Sequence, residues 1–198
     1  MKKILFILFA TLSSVANSQN AVSKTATDIA PLLIGEKVPN SVLKSPENAT
    51  VNFSDLIKKK KTVLVFYRGN WCPYCNLHLS ALAEAEKQIL DLGYQIIAVS
   101  PDSPENLKIT AEKDKAKYTL LSDSKGDLIK AFGIAYEAPE NYKSVINVHS
   151  NGDNTNFLPV PSLFVVNTDG DILFEYISPD IKHRITTELL VSVLKNLN

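Results

Sequence analysis

Thr62–Tyr67 (TVLVFY) is a continuous apolar, β-branched and aromatic run, and Gln95–Ser100 is a second. Runs of this kind mark strands buried on both faces of a sheet. Between them Leu82, Ala85, Ile89 and Leu92 recur three and four residues apart, which predicts a helix over about Trp71–Leu92, ended by Gly93. Upstream, Val42-Leu43 and Val51–Phe53 read as short strands. Ser54 reads as the cap of a short helix before the solvated lysine run Lys58–Lys61. Downstream, Pro104-Glu105 opens a charged helix to about Lys117, Tyr118–Leu121 is a short strand, and Asp127–Phe132 is a short helix closed by Gly133. Ser162–Val166 and Ile172–Ile177 form a hairpin around Asp169-Gly170, and Thr186–Leu197 is a closing amphipathic helix. Strand–helix alternation followed by hairpin and helix predicts an α/β fold with a mixed central sheet flanked by helices. Residues 134–158 break the pattern. They are polar, with Gly152 and several Asn, and a connection this long is functional or carries small elements of its own.

The N-terminus has a different pattern. Lys2-Lys3, the apolar run Ile4–Leu12 and the small residues Ala16-Asn17-Ser18 read as a secretory signal peptide over residues 1–18. The run is too short to span a bilayer, which takes about 20 residues. Residues 19–34 read as a leader, and residues 35–198 as one domain. The expected location is therefore exported, periplasmic or secreted, with no membrane span once the signal is removed.

Composition narrows the function. With 45% hydrophobic residues the chain can build a core, and 21 basic against 21 acidic residues give zero net charge. That excludes general electrostatic attraction to nucleic acid or to acidic membranes. Only two cysteines are present, Cys72 and Cys75. A disulfide between them closes a tiny loop and contributes little stability, so the pair reads as one that opens and closes.

The site candidate lies where the first buried strand meets the long helix, at Arg68-Gly69-Asn70-Trp71-Cys72-Pro73-Tyr74-Cys75. Cys72 falls at the helix N-terminus, where free backbone N–H groups and the helix dipole favour a thiolate. Pro73 suits the first helical turn because its missing N–H has no partner there anyway. Cys75, one turn on, is within reach of a mixed disulfide at Cys72. Trp71 and Tyr74 flank the thiol as candidate docking surface. Val160-Pro161, just before Ser162–Val166, is a second candidate substrate rung, whose backbone would be offered to an extended segment if the X-Pro bond were cis. Cys72, Cys75 and His78 also follow a spacing that can seed a metal site, but no fourth ligand is evident. His149 and His183 read as surface histidines.

The blocks GEKVPNSVL, TVLVFYRGNWCPYC, GYQIIAVSPDS, LLSD, LPVPSLFVVNTDGDILF and PDIKHR together resemble the alkyl hydroperoxide reductase/thiol-specific antioxidant family. More narrowly they resemble its peroxiredoxin-like branch with a CxxC motif. The resemblance implies a thioredoxin-like fold, Pro161 in the family's cis-proline position, Cys72 as attacking thiol and Cys75 as its resolving partner. It also implies no cofactor beyond the Cys72–Cys75 disulfide. The electron donor would be a thioredoxin-like or membrane thiol protein, and the substrates disulfide-bearing proteins or hydroperoxides.

The chain departs from the family's peroxidase pattern. A Thr or Ser expected three residues before the attacking cysteine is Gly69, and a Pro expected seven before it is Val65. An arginine from a later strand is also expected. Here Arg68 stands next to the motif, as possible electrostatic support, and Arg184 serves only if the fold returns it. Strand Thr62–Tyr67 carries no carboxylate to take a proton from the second thiol. These gaps favour thiol–disulfide exchange, with hydroperoxide reduction as the alternative at the same dithiol and a copper- or zinc-binding chaperone as the alternative of another class.

Overall fold

Residues 21–197 are described by the computed structural model, and residues 1–18, where a signal peptide is expected, lie outside them. Two short strands, β1 (Val42–Lys44) and β2 (Thr50–Asn52), precede a one-turn helix α1 (Phe53–Ile57). Asn52, not Ser54, caps that helix, its side-chain oxygen accepting from the Ser54 N–H. Then come β3 (Lys61–Phe66), α2 (Pro73–Asp91), β4 (Tyr94–Ser100), α3 (Pro104–Lys113), β5 (Thr119–Ser122) and α4 (Asp127–Ala131). Residues 134–158, read as a loop with small elements of its own, contain β6 (Ala135–Glu137), α5 (Glu140–His149) and the first part of β7 (Phe157–Pro159). The chain closes with β8 (Ser162–Val166), β9 (Ile172–Ile177) and α6 (Thr187–Asn196).

Seven strands form one sheet in the order β2-β1-β5-β4-β3-β8-β9. Its centre, β5-β4-β3, is parallel; β1, β8 and β9 join antiparallel. The sheet is therefore mixed, with helices on both faces. Alternation along β3 explains the unbroken apolar run. Val63 and Val65 pack on the face that also holds Leu79, Leu82 and Ile89 of α2 and Leu190 and Leu194 of α6. Leu64 and Phe66 pack on the other, with Phe53, Leu128 and the Phe66–Phe132–Phe164 ring cluster. A strand covered on both sides carries apolar residues at successive positions, here Val63 to Phe66.

The leader segment is tied down over its described part. Ser23 shares backbone hydrogen bonds with Ala135 and Glu137, and the Leu32 N–H donates to Phe132 O. Among the described residues no helix is long and apolar enough to cross a membrane.

Every peptide bond among the described residues is trans, which corrects the cis-proline reading of Pro161. The trans form is the intrinsically preferred one, by about 0.5–1 kcal/mol for X-Pro. Here the Val160 N–H donates to Ile134 O at 2.8 Å and the Val160 carbonyl accepts from the Ser162 hydroxyl at 2.8 Å. Both backbone groups of Val160, which the expected rung would offer to substrate, have partners inside the protein.

Candidate active site

The chain leaves β3 through Tyr67-Arg68 and turns at Gly69, whose φ is +144°. A Cβ here would fall 2.4 Å from Trp71 Nε1 and 2.7 Å from Asp102 Oδ1. Only glycine fits both the dihedral and the space. The elbow is then held by polar bonds. The Asn70 N–H donates to Asp102 Oδ2 at 2.8 Å, the Asn76 amide donates to Asn70 O at 2.9 Å, and Asn70 Nδ2 donates to Asn106 O at 3.2 Å. These bonds place Cys72 as the N-cap of α2 and Pro73 as its first residue. The helix begins two residues later than its apolar spacing predicts, because Cys72 is still extended, at φ −90° and ψ 110°.

Cys72 and Cys75 are free thiols, each 1% exposed. The Cys75 side chain hydrogen-bonds to the Cys72 sulfur and, against the opposing effect of burial, brings the Cys72 pKa down to about 6. The Cys75 backbone N–H, Arg68 and Arg184 add to that lowering. Burial, and the Cys72 charge beside it, push Cys75 well up, so the pair divides into one thiolate and one thiol. Alkylation of reduced protein should accordingly follow a midpoint near pH 6 and stay flat above pH 7. An ordinary thiol has its midpoint at about 8.5, and finding that value for Cys72 would contradict the assignment.

Two guanidinium groups reach this pair. Arg68, 2% exposed, points Nη1 at Cys72 Sγ from 4.0 Å, the long limit for a hydrogen bond to sulfur. Arg184, in the segment between β9 and α6, brings Nη2 to 3.6 Å from Cys75 Sγ. It is aimed by Nη1, which donates to the carbonyls of Ile181 and His183. The fold does return Arg184 to the site, the condition on which its role depended.

Asp102 is the residue the sequence did not single out. It follows β4, the parallel neighbour of β3, so its carboxylate lies beside the elbow at the carboxyl end of both strands. Burial, with a smaller contribution from the Cys72 charge, raises its pKa to about 7 against hydrogen bonds from Asn70 and Ser100. Such a carboxyl exchanges a proton near neutral pH, a capacity β3 lacks. The usable signal was its position just past a central parallel strand, where sites of α/β folds gather.

The other expected residues divide. Trp71 is half-buried against Arg68, and Pro73 and Tyr74 are exposed beside the dithiol. Pro161 is buried with His78, Tyr176 and Arg184 around a crevice of about 10 Å³, too small for substrate. A groove of about 400 Å³ lined by Tyr74, Leu77, Ala81, Lys182 and Arg184 opens next to it. His78 is buried, its pKa lowered to about 4 by burial and then by Arg184. His183 pairs with Asp180 at the surface. Among the described residues no three His, Cys, Asp or Glu side chains converge in a way that could hold a metal.

An activated thiolate at a helix N-terminus, a protonated partner one turn on and a mixed sheet define a thiol-based oxidoreductase with a thioredoxin-like fold. The AhpC/TSA family model matches residues 34–174, and the chain belongs to that family. Peroxiredoxin Bcp of Escherichia coli (strain K12) is 25% identical over 165 residues, spanning 83% of this chain and 97% of that protein. Peroxiredoxin Bcp of Bacillus subtilis (strain 168) is 27% identical over 157 residues, spanning 79% and 92%. Among solved structures, peroxidoxin BcpB from Mycobacterium tuberculosis superposes with a TM-score of 0.66 at 20% identity, covering 83% of this chain and 97% of that one. At that identity it speaks for the fold.

Proposed function

We propose that this protein is a thiol-dependent peroxidase that reduces small hydroperoxides and cycles through a Cys72–Cys75 disulfide. The observation that carries this reading is the convergence of Arg68 and Arg184 on the dithiol, which supplies the positive charge the sequence pattern lacked. The Cys72 thiolate attacks the nearer peroxide oxygen, the O–O bond breaks, and Cys72 becomes a sulfenic acid. Charge develops on the departing oxygen, where a fixed guanidinium is most effective, and a proton completes the alcohol or water. The Cys75 thiol then attacks the Cys72 sulfur, water leaves, and the disulfide forms. A dithiol donor of thioredoxin-like kind supplies two electrons and two protons to reset the pair.

Two further observations favour a peroxide over a protein disulfide. Both sulfurs are covered, which admits a two-oxygen group more readily than the in-line approach of a protein disulfide. The Val160 N–H is also donated internally to Ile134 O, so it is not free to pair with an extended substrate. The curated relatives carry peroxiredoxin names, in agreement with this reading. Export to the periplasm belongs to the proposal and is supported by the signal pattern of residues 1–18.

The test is steady-state turnover with a thioredoxin, its reductase and hydrogen peroxide, beside the same assay with oxidised glutathione. Peroxide-dependent consumption of reductant, lost in Cys72→Ser, is expected. Fast turnover of the disulfide with none of the peroxide would restore disulfide exchange as the function.

A further inference from the structure

Arg68 poses a physical problem that the chemistry above does not solve. It is 2% exposed, forms no ion pair with a carboxylate among the described residues, and its Nε has no hydrogen-bond partner there. A buried cation with no carboxylate beside it, and with the Cys72 sulfur only at the 4.0 Å limit, is costly unless something else holds it. Its surroundings show what holds it. The guanidinium carbon lies 4.9 Å from the Trp71 ring centre and 4.4 Å from that of Tyr142, and the two rings lie 5.3 Å apart with 33° between their planes. The three planar groups form a closed triangle. Tyr136 of β6 faces the same guanidinium. Two members of this cage, Tyr136 and Tyr142, come from residues 134–158.

We propose that Tyr142, on α5, is a positioning residue of this site: its ring, with that of Trp71, fixes the Arg68 guanidinium so that Nη1 is aimed at the Cys72 sulfur. The π faces replace the missing carboxylate, and the replacement matters. A carboxylate would neutralise Arg68 and compete with Cys72 for it, whereas an aromatic ring attracts the cation and leaves its charge available to the thiolate. The segment between α4 and β8 thereby acquires a function, since it carries the ring that closes the triangle.

Cys72 is faced by Cys75 on its own helix, by Arg68 and Asp102 at the ends of β3 and β4, by Tyr136 from β6 and by Arg184 before α6. Tyr142 acts on it only through Arg68, by its ring first and then by the hydroxyl that hydrogen-bonds the guanidinium. The test uses the reduced full-length protein and two readouts that involve no peroxide: thiolate ultraviolet absorbance against pH, and the rate of iodoacetamide alkylation at Cys72. Tyr142→Leu and Tyr142→Gln are read in parallel, so that a folding failure of one leaves the other. Both should raise the Cys72 midpoint and slow alkylation below it by about fivefold. Tyr142→Phe, which keeps the ring and gives up only the hydroxyl's hydrogen bond to Arg68, should lose less than about half as much as either. Wild-type titration in the Leu and Gln variants would overturn the proposal, and so would a loss in Tyr142→Phe equal to theirs. The inference refines the peroxidase reading, but its readouts stand whether or not the protein reduces peroxides, so the two can fail separately.

Discussion

Installing threonine at position 69, where the family's peroxidases carry a hydroxyl residue, should damage this protein. Gly69 sits at φ +144°, and the new Cβ would meet Trp71 Nε1 at 2.4 Å and Asp102 Oδ1 at 2.7 Å. A β-branched residue at that dihedral costs about 1–3 kcal/mol, and the forced movement of a half-buried ring and a buried carboxylate adds a comparable amount. Each kcal/mol lowers Tm by roughly 2–4 °C in a chain of this size, so a fall of about 10 °C is expected by thermal unfolding. The hydroperoxide rate should fall at least about tenfold, since displaced Trp71 no longer completes the triangle around Arg68. A threonine variant that is as stable as wild type and faster with peroxide would show that the elbow tolerates the family's usual residue.

Cys75→Ser should separate chemistry from turnover. The serine hydroxyl still donates to the Cys72 sulfur, so the largest cause of the lowered thiol pKa is retained in kind. One equivalent of peroxide should therefore be reduced at a rate within about threefold of wild type. Steady-state turnover should drop by about 100-fold or more, because no thiol remains to release the sulfenic acid as water. Cys72 should then be captured by dimedone, a trap for sulfenic acids. Cys75→Ala removes the hydrogen-bond donor as well, and its Cys72 midpoint should move up from about 6. Full turnover in either variant would mean that Cys75 is not the resolving thiol.

The parts legible in the sequence are those that depend on neighbours along the chain. The apolar run Thr62–Tyr67, the helix spacing after it and Cys72-Pro73 at their junction are local patterns, and the structure places the dithiol at that junction. The hairpin at Asp169-Gly170 was legible for the same reason. Residues 134–158 gave no periodicity because their strands are three residues long, too short for alternation to show, and α5 buries only Ile146. Arg184 is 109 positions from Cys75 and Asp102 is 32 from Asn70. No local pattern encodes those approaches, since they arise from the parallel pairing of β3 with β4 and from the return of the chain after β9. At Gly69 the absent side chain is what lets the indole and the carboxylate approach the elbow, a requirement set by residues that only the fold brings near.

The activated, guanidinium-flanked Cys72 thiol should react with peroxide itself. Trp71 is the chain's one tryptophan and adjoins Cys72, so its fluorescence can report the first chemical step directly. The decisive measurement is stopped-flow mixing of fully reduced protein with hydrogen peroxide at neutral pH, with Cys72→Ser as control. A second-order rate constant at least about 100-fold above that of free cysteine, absent in Cys72→Ser, is the predicted result. A rate no better than free cysteine, beside rapid oxidation by glutathione disulfide, would contradict it and return the site to thiol–disulfide exchange.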